Sequence, residues 1–305
     1  MRIGFLGLGA MGSGMVARLA GNGYQVAVYN RTAGKVAPLA DRGVRVANTP
    51  AEAAHDADLL LVSLATAEVV EAMLFGGTAD SGALLATKPG AIVADMSTVS
   101  PAAAQAQAER IAAAGRRALD ACVIGNAHHA HEGELRFMIG GSEQDLERIR
   151  PVLEVLGKQT VHLGGPGMGA TAKVAMNLLM GVQLQALSEA VLFGERAGLD
   201  RQQLIDLIAA SGYCSPMLRF KSGVMAARGF DRADFKLALM RKDLHLALSD
   251  ADRLGVPMPS VAASFEVLTA CVNAGLGDLD CAAVLVEMER RAGTAPVEDA
   301  TTLAS

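Results

Sequence analysis

The sequence has few charged residues and no concentration of positive charge. Only 19% of its 305 residues are Asp, Glu, Lys or Arg, and the formal net charge is -5 at pH 7. Nucleic acids and anionic membrane surfaces are usually bound by stripes of basic residues. The sequence has no such stripe, which argues against either partner. An anionic ligand must instead be held by a few local cations.

Paired cysteines are also missing. The four cysteines, Cys122, Cys214, Cys271 and Cys281, are widely spaced and form no C-x-x-C motif. Unpaired, widely spaced cysteines are typical of reduced thiols and give no metal or redox signature.

No basic segment followed by an apolar stretch opens the sequence, which indicates that a signal peptide is absent. We expect cytoplasmic localisation.

No hydrophobic run is long enough to span a membrane without interruption. The most apolar stretch, residues 168–192, is interrupted by Lys173, Asn177, Gln183, Gln185, Ser188 and Glu189, which argues against a membrane span. Half of the residues are hydrophobic, and no tract has the composition of a disordered segment. The sequence therefore predicts a globular protein, long enough for two domains.

Short apolar runs alternate with helical segments over the first 165 residues. The strand candidates are IGFLGL, QVAVYN, VRVA, LLLVSL, AIVADMS, ALDACVI, LRFMIGG and TVHLG. Continuous apolar strands separated by helices favour a parallel sheet covered on both faces. We therefore predict an α/β fold with a Rossmann-type doubly wound sheet over residues 1–165.

After the segment GGPGMG the pattern becomes helical. We predict an all-α C-terminal domain over residues 166–292, which binds substrate and forms subunit contacts. A long linker helix over about residues 169–198 opens it. Residues 293–305 are predicted to form a flexible tail.

A glycine-rich turn, GFLGLGAMGSGM, lies between the first strand and the first helix. Gly7 allows a tight turn, Gly9 lets the backbone approach a pyrophosphate, and Gly12 permits close helix–strand packing. The N–H groups at the helix N-terminus favour an anion. We predict that this turn binds a dinucleotide through Gly7, Leu8, Gly9, Ala10, Met11 and Gly12.

The second strand ends in Asn30, Arg31 and Thr32, where an NAD-binding site usually has Asp or Glu. A carboxylate would repel a 2′-phosphate, whereas Asn30 can accept a hydrogen bond from the ribose. Arg31 can pair with the phosphate, and Thr32 can donate a hydrogen bond to it. The alternative is that Arg31 is a solvated loop residue. The pattern favours NADP(H) as the cofactor.

Five further segments occur in a characteristic order: DMSTVSP, LDACVIGN, GELRFMIGG, GMGATAKVAMN and FKLALMRKDLHLAL. Together they resemble the β-hydroxyacid dehydrogenase family over the chain up to about residue 291. The resemblance implies that Leu64 and Ala65 lie beside the cofactor, with Ala65 replacing the usual proline. It also implies that Thr98 lines the nicotinamide end and that Lys242 closes over cofactor and substrate. Relatives are commonly homodimers or homotetramers.

The same resemblance makes Lys173 the catalytic lysine and Asn177 its companion. These residues stand at i and i+4, so both project from one face of the predicted linker helix. A lysine on a mostly apolar helix is costly to bury without a partner or a function. Desolvation would lower its pKa towards the range for proton transfer. The alternative is a lysine that snorkels from a surface helix.

The substrate loop departs from the family pattern Asp-Ala-Pro-Val-Ser-Gly-Gly. Ile124 replaces the serine that helps to hold a carboxylate, Gly125 is retained, and Asn126 replaces a glycine. His129 also stands where the family tends to have glycine. We predict that Ile124, Gly125, Asn126, His129 and Lys242 contact the substrate.

His128, His129 and His131 lack the spacing that brings metal ligands together on a helix, so we predict no metal site. Two readings of this histidine cluster remain: an exposed polar loop, or contact of one histidine with a strongly anionic substrate group. Arg219 and Lys221 either supply charge for an acid group or are solvated helix cations.

These observations predict an NADPH-dependent oxidoreductase that transfers hydride between the nicotinamide and a small acid-bearing carbonyl or alcohol. The substrate would be a 3-hydroxy acid, a semialdehyde or an oxo-phosphonate, with Lys173 as general acid/base. The alternatives are an imine reductase and a catalytically silent NADP-binding scaffold.

Overall fold

The computed structural model describes residues 1–32, 34, 39, 43–76 and 82–293, and the chain divides into two compact units. The first unit is Met1–Val174, and the second begins at Ala175. The division falls within a long helix, Met168–Arg196. Of the tail predicted at 293–305, the residues from 294 onward lie outside the described part of the chain.

An eight-stranded sheet forms the centre of the first unit, with strands in the order β3-β2-β1-β4-β5-β6-β7-β8. The strands are β1 (Arg2–Leu6), β2 (Gln25–Tyr29), β3 (Arg45–Val46), β4 (Leu59–Val62), β5 (Ile92–Asp95), β6 (Arg117–Ile124), β7 (Leu135–Gly141) and β8 (Gly157–His162). β1 to β6 are parallel, which agrees with the predicted Rossmann-type sheet.

One strand pair departs from the predicted parallel arrangement. β7 pairs with β6 in the antiparallel direction, and β8 then runs parallel to β7. The connection from β6 to β7 contains only a six-residue helix. A parallel crossover needs a dozen or more residues, so this short connection requires β7 to reverse direction.

Helices cover both faces of the sheet. In chain order they are α1 (Ala10–Gly21), α2 (Pro50–Ala54), α3 (Ala67–Phe75), α4 (Ala83–Ala86), α5 (Pro101–Ala113), α6 (Ala127–Glu132) and α7 (Glu143–Leu156). One apolar cluster packs α1 and α7 against one face. A second cluster packs α2 to α5 against the other face, together with Ala170. Burial on both faces explains why β4 and β5 are apolar throughout their central positions.

The second unit is helical. It contains the greater part of α8 (Met168–Arg196), followed by α9 (Arg201–Ala210), α10 (Pro216–Ala227), α11 (Leu237–Leu254), α12 (Pro259–Asn273) and α13 (Val284–Arg291), with short 3-10 turns at Leu276–Asp278 and Cys281–Ala283. An added Cβ on Gly181 would lie 2.6 Å from Leu244 Cδ1, so this glycine allows α8 and α11 to pack closely.

Among the described residues, α8 has the length and hydropathy of a candidate membrane span, and 44% of its apolar window is buried inside the protein. The buried side chains of this helix include the polar residues Asn177, Gln185 and Ser188. Such a composition is that of a core helix in a globular protein.

Candidate active site

Most of the predicted site residues of the first unit lie at one edge of its sheet. Because β1, β2, β4, β5 and β6 are parallel, their carboxyl ends meet at that edge. The strand order reverses direction at β1, whose neighbours are β2 and β4. Ligands of doubly wound sheets bind outside the carboxyl ends of the strands, at such a switch point. The residues brought to this edge are Gly7–Gly12, Asn30–Thr32, Leu64 and Ala65, Thr98, and Ile124–Asn126.

The glycine turn has the geometry that a pyrophosphate requires. Gly7 has φ +101°, and an added Cβ on Gly12 would lie 2.1 Å from Gly7 O, so both positions need glycine. Gly9 is the N-cap of α1 and provides no side-chain cap, while an added Cβ there meets nothing within 4 Å. The twelve-residue helix α1 therefore begins without a side-chain cap, at a glycine that leaves space beside its Cα. These residues fit a dinucleotide phosphate.

Asn30 has a role that the sequence analysis did not assign. Its Oδ1 accepts a hydrogen bond from the Leu8 N–H at 2.9 Å, and its Nδ2 donates to Thr32 O at 2.9 Å. The side chain thus joins the end of β2 to the glycine turn. Arg31 and Thr32 are exposed, and their contact with a 2′-phosphate stays a prediction.

Leu64 and Thr98 are linked through Ser97. The Leu64 N–H donates to Ser97 Oγ at 2.9 Å, and Thr98 follows as a half-buried residue. An added Cβ on Gly7 would lie 2.8 Å from Leu64 Cδ2, so the glycine turn contacts this segment. Ala65 is exposed. The structure brings these residues together, and their contact with a nicotinamide stays a prediction.

The start of α8 is held by Asp120 of β6. Asp120 Oδ1 accepts a hydrogen bond from the Gly167 N–H at 2.9 Å, and Oδ2 accepts from the Ala170 N–H at 2.8 Å. Burial raises the pKa of Asp120, and these N–H donors oppose that rise. Lys173, half-buried, follows Ala170 by about one helical turn. Lys173 and Asn177 both lie on α8, four residues apart.

The segment after β6 is a helix rather than the exposed polar loop considered from the sequence. Asn126 is the N-cap of α6: its Oδ1 accepts from the His129 N–H at 3.1 Å. His129 Nδ1 accepts in turn from the Asn126 N–H at 3.2 Å. Ile124 is half-buried and Gly125 exposed. Both Asn126 and His129 therefore have structural partners, whatever else they contact.

His128 and His131 are exposed on α6. Gly125 has φ +143°, and an added Cβ would lie 2.7 Å from Leu135 Cδ2. Glycine is thus required where the chain leaves β6.

In the second unit, Asp243 links two of the predicted site residues. Asn177, buried, donates from Nδ2 to Asp243 Oδ2 at 2.5 Å. Lys242 Nζ lies 2.8 Å from Asp243 Oδ1 as an ion pair, although this contact lacks hydrogen-bond geometry. Asp243 is 1% exposed. One buried carboxylate therefore fixes the amide of Asn177 and neutralises the ammonium of Lys242.

Lys221 is neither a solvated cation nor a charge presented to a ligand. It is 4% exposed, and its Nζ donates to Asp280 Oδ2 at 2.6 Å. Asp280 also accepts hydrogen bonds from the N–H groups of Asp234 and Ala282. A buried, hydrogen-bonded ion pair of this kind is structural. Arg219 is exposed.

Ser97, Asp120 and Asp243 also belong to the site and were not among the residues predicted from the sequence. All three lie within the quoted motifs DMSTVSP, LDACVIGN and FKLALMRKDLHLAL. The signal available was a polar residue directly beside one already selected: Ser97 precedes Thr98, and Asp243 follows Lys242. Their hydrogen-bond partners lie 33 to 66 residues away in the sequence, so these contacts form only in the folded chain.

Two family models match the chain. One, described as the NAD binding domain of 6-phosphogluconate dehydrogenase, matches residues 2–164. The other, described as NAD-binding of NADP-dependent 3-hydroxyisobutyrate dehydrogenase, matches residues 167–288. Together they cover both units.

Relatives match over nearly their whole length. The chain is 33% identical over 293 residues to 2-(hydroxymethyl)glutarate dehydrogenase from Eubacterium barkeri, with 96% of each chain covered. It is 34% identical to 2-hydroxy-3-oxopropionate reductase from Escherichia coli (strain K12), with 95% of this chain and 97% of that protein covered.

Among solved structures, 3-hydroxyisobutyrate dehydrogenase from Salmonella typhimurium is similar with a TM-score of 0.86. The sequence identity is 29%, and the match covers 94% of this chain and 99% of that one. Fold and sequence therefore agree over both units.

Proposed function

Because this chain belongs to the β-hydroxyacid dehydrogenase family, we propose that it transfers a hydride between NADP(H) and a small carbonyl or alcohol that bears an acid group. Its relatives are dehydrogenases and reductases that act on hydroxyacid CH–OH groups, and it is an NAD(P)-dependent enzyme of that class. The observation that carries the proposal is the placement of Lys173 on α8, one turn after the helix start that Asp120 holds.

Lys173 is the general acid/base of the proposed reaction. The bound nicotinamide, when present, supplies or accepts the hydride. In reduction, the Lys173 ammonium donates its proton to the carbonyl oxygen as negative charge develops there. In oxidation, the neutral amine takes the proton from the substrate hydroxyl.

Asn177 and Lys242 support the same reaction. Asn177, with its amide fixed by Asp243, holds the reacting oxygen or orients Lys173 on the same helix. Lys242 supplies positive charge for cofactor and substrate. Because Asp243 contacts both side chains, it sets the position of two of the proposed groups at once.

The acid group of the substrate is held by Gly125, Asn126 and His129 beside Ile124, which lacks the hydroxyl of the family's serine. His129 Nδ1 accepts a hydrogen bond from the Asn126 N–H, so the neutral ring carries its proton on Nε2. That N–H can donate to a carboxylate or a phosphonate. In this segment the imidazole N–H takes the place of the hydroxyl donor that the family's serine provides.

A substrate screen tests the proposed function. NADPH oxidation is followed at 340 nm with short semialdehydes, 2-oxo acids and oxo-phosphonates, with cyclic imines as a separate arm. We expect turnover of at least one acid-bearing carbonyl and none of the imines, because Lys173 provides an ammonium as proton donor. Turnover of imines alone would identify an imine reductase. NADPH binding without turnover of the whole panel would identify a silent scaffold.

Arg31 carries the proposed preference for NADPH. The side chain is exposed next to Asn30, and no carboxylate occupies the end of β2 to bind a ribose diol or repel a phosphate. We expect Arg31→Asp to weaken NADPH binding by 10-fold or more and NADH binding by about 2-fold or less, since a phosphate contact of this kind is charge-assisted. The change in NAD(P)H fluorescence on titration with the protein measures the affinity for each of the two cofactors. Equal losses for the two cofactors would contradict a contact with the 2′-phosphate.

The protein is also proposed to be a cytoplasmic homodimer or homotetramer. None of the four cysteines, all in the described part of the chain, forms a disulfide, in keeping with a reducing compartment. Large apolar side chains are exposed on the second unit, among them Phe193, Leu207 and Tyr213. Exposed apolar surface of this kind supports a contact between subunits.

A further inference from the structure

Two buried carboxyl groups stand side by side in the sheet. Asp95 of β5 pairs in register with Asp120 of β6, so both side chains lie on the same face. Val93 and Cys122, at the same-face positions of these strands, belong to the apolar cluster that includes Ala170. Asp95 is the last residue of β5, and Asp120 contacts the start of α8 through two hydrogen bonds.

The Asp120 carboxylate occupies a space that two glycines leave for it. An added Cβ on Gly140, its partner on β7, would lie 2.5 Å from Asp120 Oδ1. An added Cβ on Gly169 of α8 would lie 2.9 Å from Asp120 Oδ2 and 2.5 Å from Met138 O. The helix start thus approaches the sheet closely enough for both carboxylate oxygens to accept its N–H groups.

The two acids differ in their partners. Asp120 accepts from the N–H groups of Gly167 and Ala170 at the N-terminus of a 29-residue helix, which stabilises its negative charge. Asp95 Oδ1 accepts from the Ser97 N–H at 2.8 Å, whereas its Oδ2 is buried without a hydrogen-bond partner. Of the pair, Asp120 is therefore the member suited to carry the charge.

We propose that Asp120 is a positioning residue for hydride transfer: by holding the first turn of α8 through Gly167 and Ala170, it fixes where Lys173 presents its ammonium group. Lys173 follows Ala170 by about one turn on a continuous helix, so a displacement of that first turn is passed on to it. This inference rests on the proposed function and adds to it a residue that touches neither substrate nor cofactor. Misplacing a catalytic group by about 1 Å can cost about 100-fold in rate.

The test compares Asp120→Asn with Asp145→Asn. The asparagine at 120 has one acceptor oxygen, and its NH₂ group faces an N–H donor, so one of the two bonds to α8 is lost. Asp145 is the matched control, since it is another buried aspartate of the first unit, in the first turn of α7. Three quantities are measured: kcat and the KM for NADPH, amide hydrogen exchange over residues 167–171, and the rate at which a small acylating reagent labels Lys173.

For Asp120→Asn we expect kcat to fall by about 10- to 100-fold, while the KM for NADPH changes by about 2-fold or less. Amide exchange at Gly167 and Ala170 should accelerate at least 10-fold, and the labelling rate of Lys173 should change at least 3-fold. Asp145→Asn should leave all of these near wild type. Faster exchange with unchanged kcat and unchanged labelling would show a merely structural role and overturn the proposal, as would unchanged exchange.

Gly140→Ala is a second variant in case Asp120→Asn does not fold. It keeps the carboxylate but displaces it, because the new methyl group would lie within 2.5 Å of Oδ1. The same pattern of results is expected, with Gly165→Ala, whose Cβ meets nothing within 4 Å, as its control. If the wild-type enzyme turns over no compound, the proposed function fails. Exchange and Lys173 labelling then decide the positioning proposal alone, and an unchanged labelling rate overturns it.

Discussion

Asp95 is the residue whose burial has the most direct consequence for pH dependence. Burial is the main cause that raises its pKa to about 6, the hydrogen bonds from Ser97 oppose the rise, and the charge of Asp120 adds to it. The pKa is thus higher in the folded than in the unfolded protein. The resulting stabilisation is complete below about pH 4 and is lost as pH rises through 6. The difference between these two limits is roughly 3 kcal/mol, at about 1.4 kcal/mol per pKa unit.

Asp95→Asn should therefore stabilise the protein in a pH-dependent manner. The asparagine oxygen can still accept from the Ser97 N–H, and no charge remains to be buried. We expect the free energy of unfolding at pH 8 to rise by about 1–3 kcal/mol relative to wild type, with little or no gain at pH 4. Urea denaturation at the two pH values measures this. A change of the same size at both would mean that ionisation of Asp95 is not its cause.

At the same scale, the family resemblance and residue spacing identified functional candidates but not their partners. Asn177 was predicted as the companion of Lys173, four residues away on one helix, and the structure gives it a buried carboxylate as partner. Asp243 lies 66 residues further along the chain, so the pairing depends on how α8 and α11 pack. Lys221 was considered as a charge for substrate, but a partner 59 residues away neutralises it.

At the level of helices and strands, local sequence marks where a helix starts but not which direction a strand takes. The helix that begins at Pro101 follows Ser100, whose side chain accepts the Ala103 N–H, and Ser215 does the same before Pro216. Ser or Asp followed by Pro is a signal that can be read from the sequence. The reversal of β7 was not predicted, because strand direction depends on the length of the preceding connection.

The six-residue helix α6 was missed for a different reason. Its capping box uses His129 at the position where Glu or Gln is usual. In addition, three histidines in a short polar segment are not typical of a helix. The consequence concerns the proposed substrate contacts, since Asn126 and His129 are held in place by each other. Their polar groups are fixed before any ligand arrives, which lowers the entropic cost of using them.

For the whole molecule, the change from alternating strands and helices to continuous helices predicted a Rossmann-type sheet followed by a helical region. The two matching family models cover residues 2–164 and 167–288. The sequence could not reveal how distant segments are joined. The bonds from Asp120 to the start of α8 cross 47 and 50 residues. Such long-range bonds position most of the proposed site, so its residues could be named from the sequence but not assembled.

Lys173→Met tests directly whether Lys173 supplies the proton in an NADPH-dependent reduction. Methionine keeps the apolar length of the side chain and removes the ammonium group. Single-turnover NADPH oxidation is measured with the best acid-bearing carbonyl from the screen, together with NADPH binding. Lys158→Met, which removes a surface lysine of the first unit paired with Glu134, is the control. We expect a rate lower by about 10²- to 10⁴-fold for Lys173→Met, with NADPH affinity within about 2-fold of wild type. A rate within a few-fold of wild type would show that Lys173 is not the proton donor.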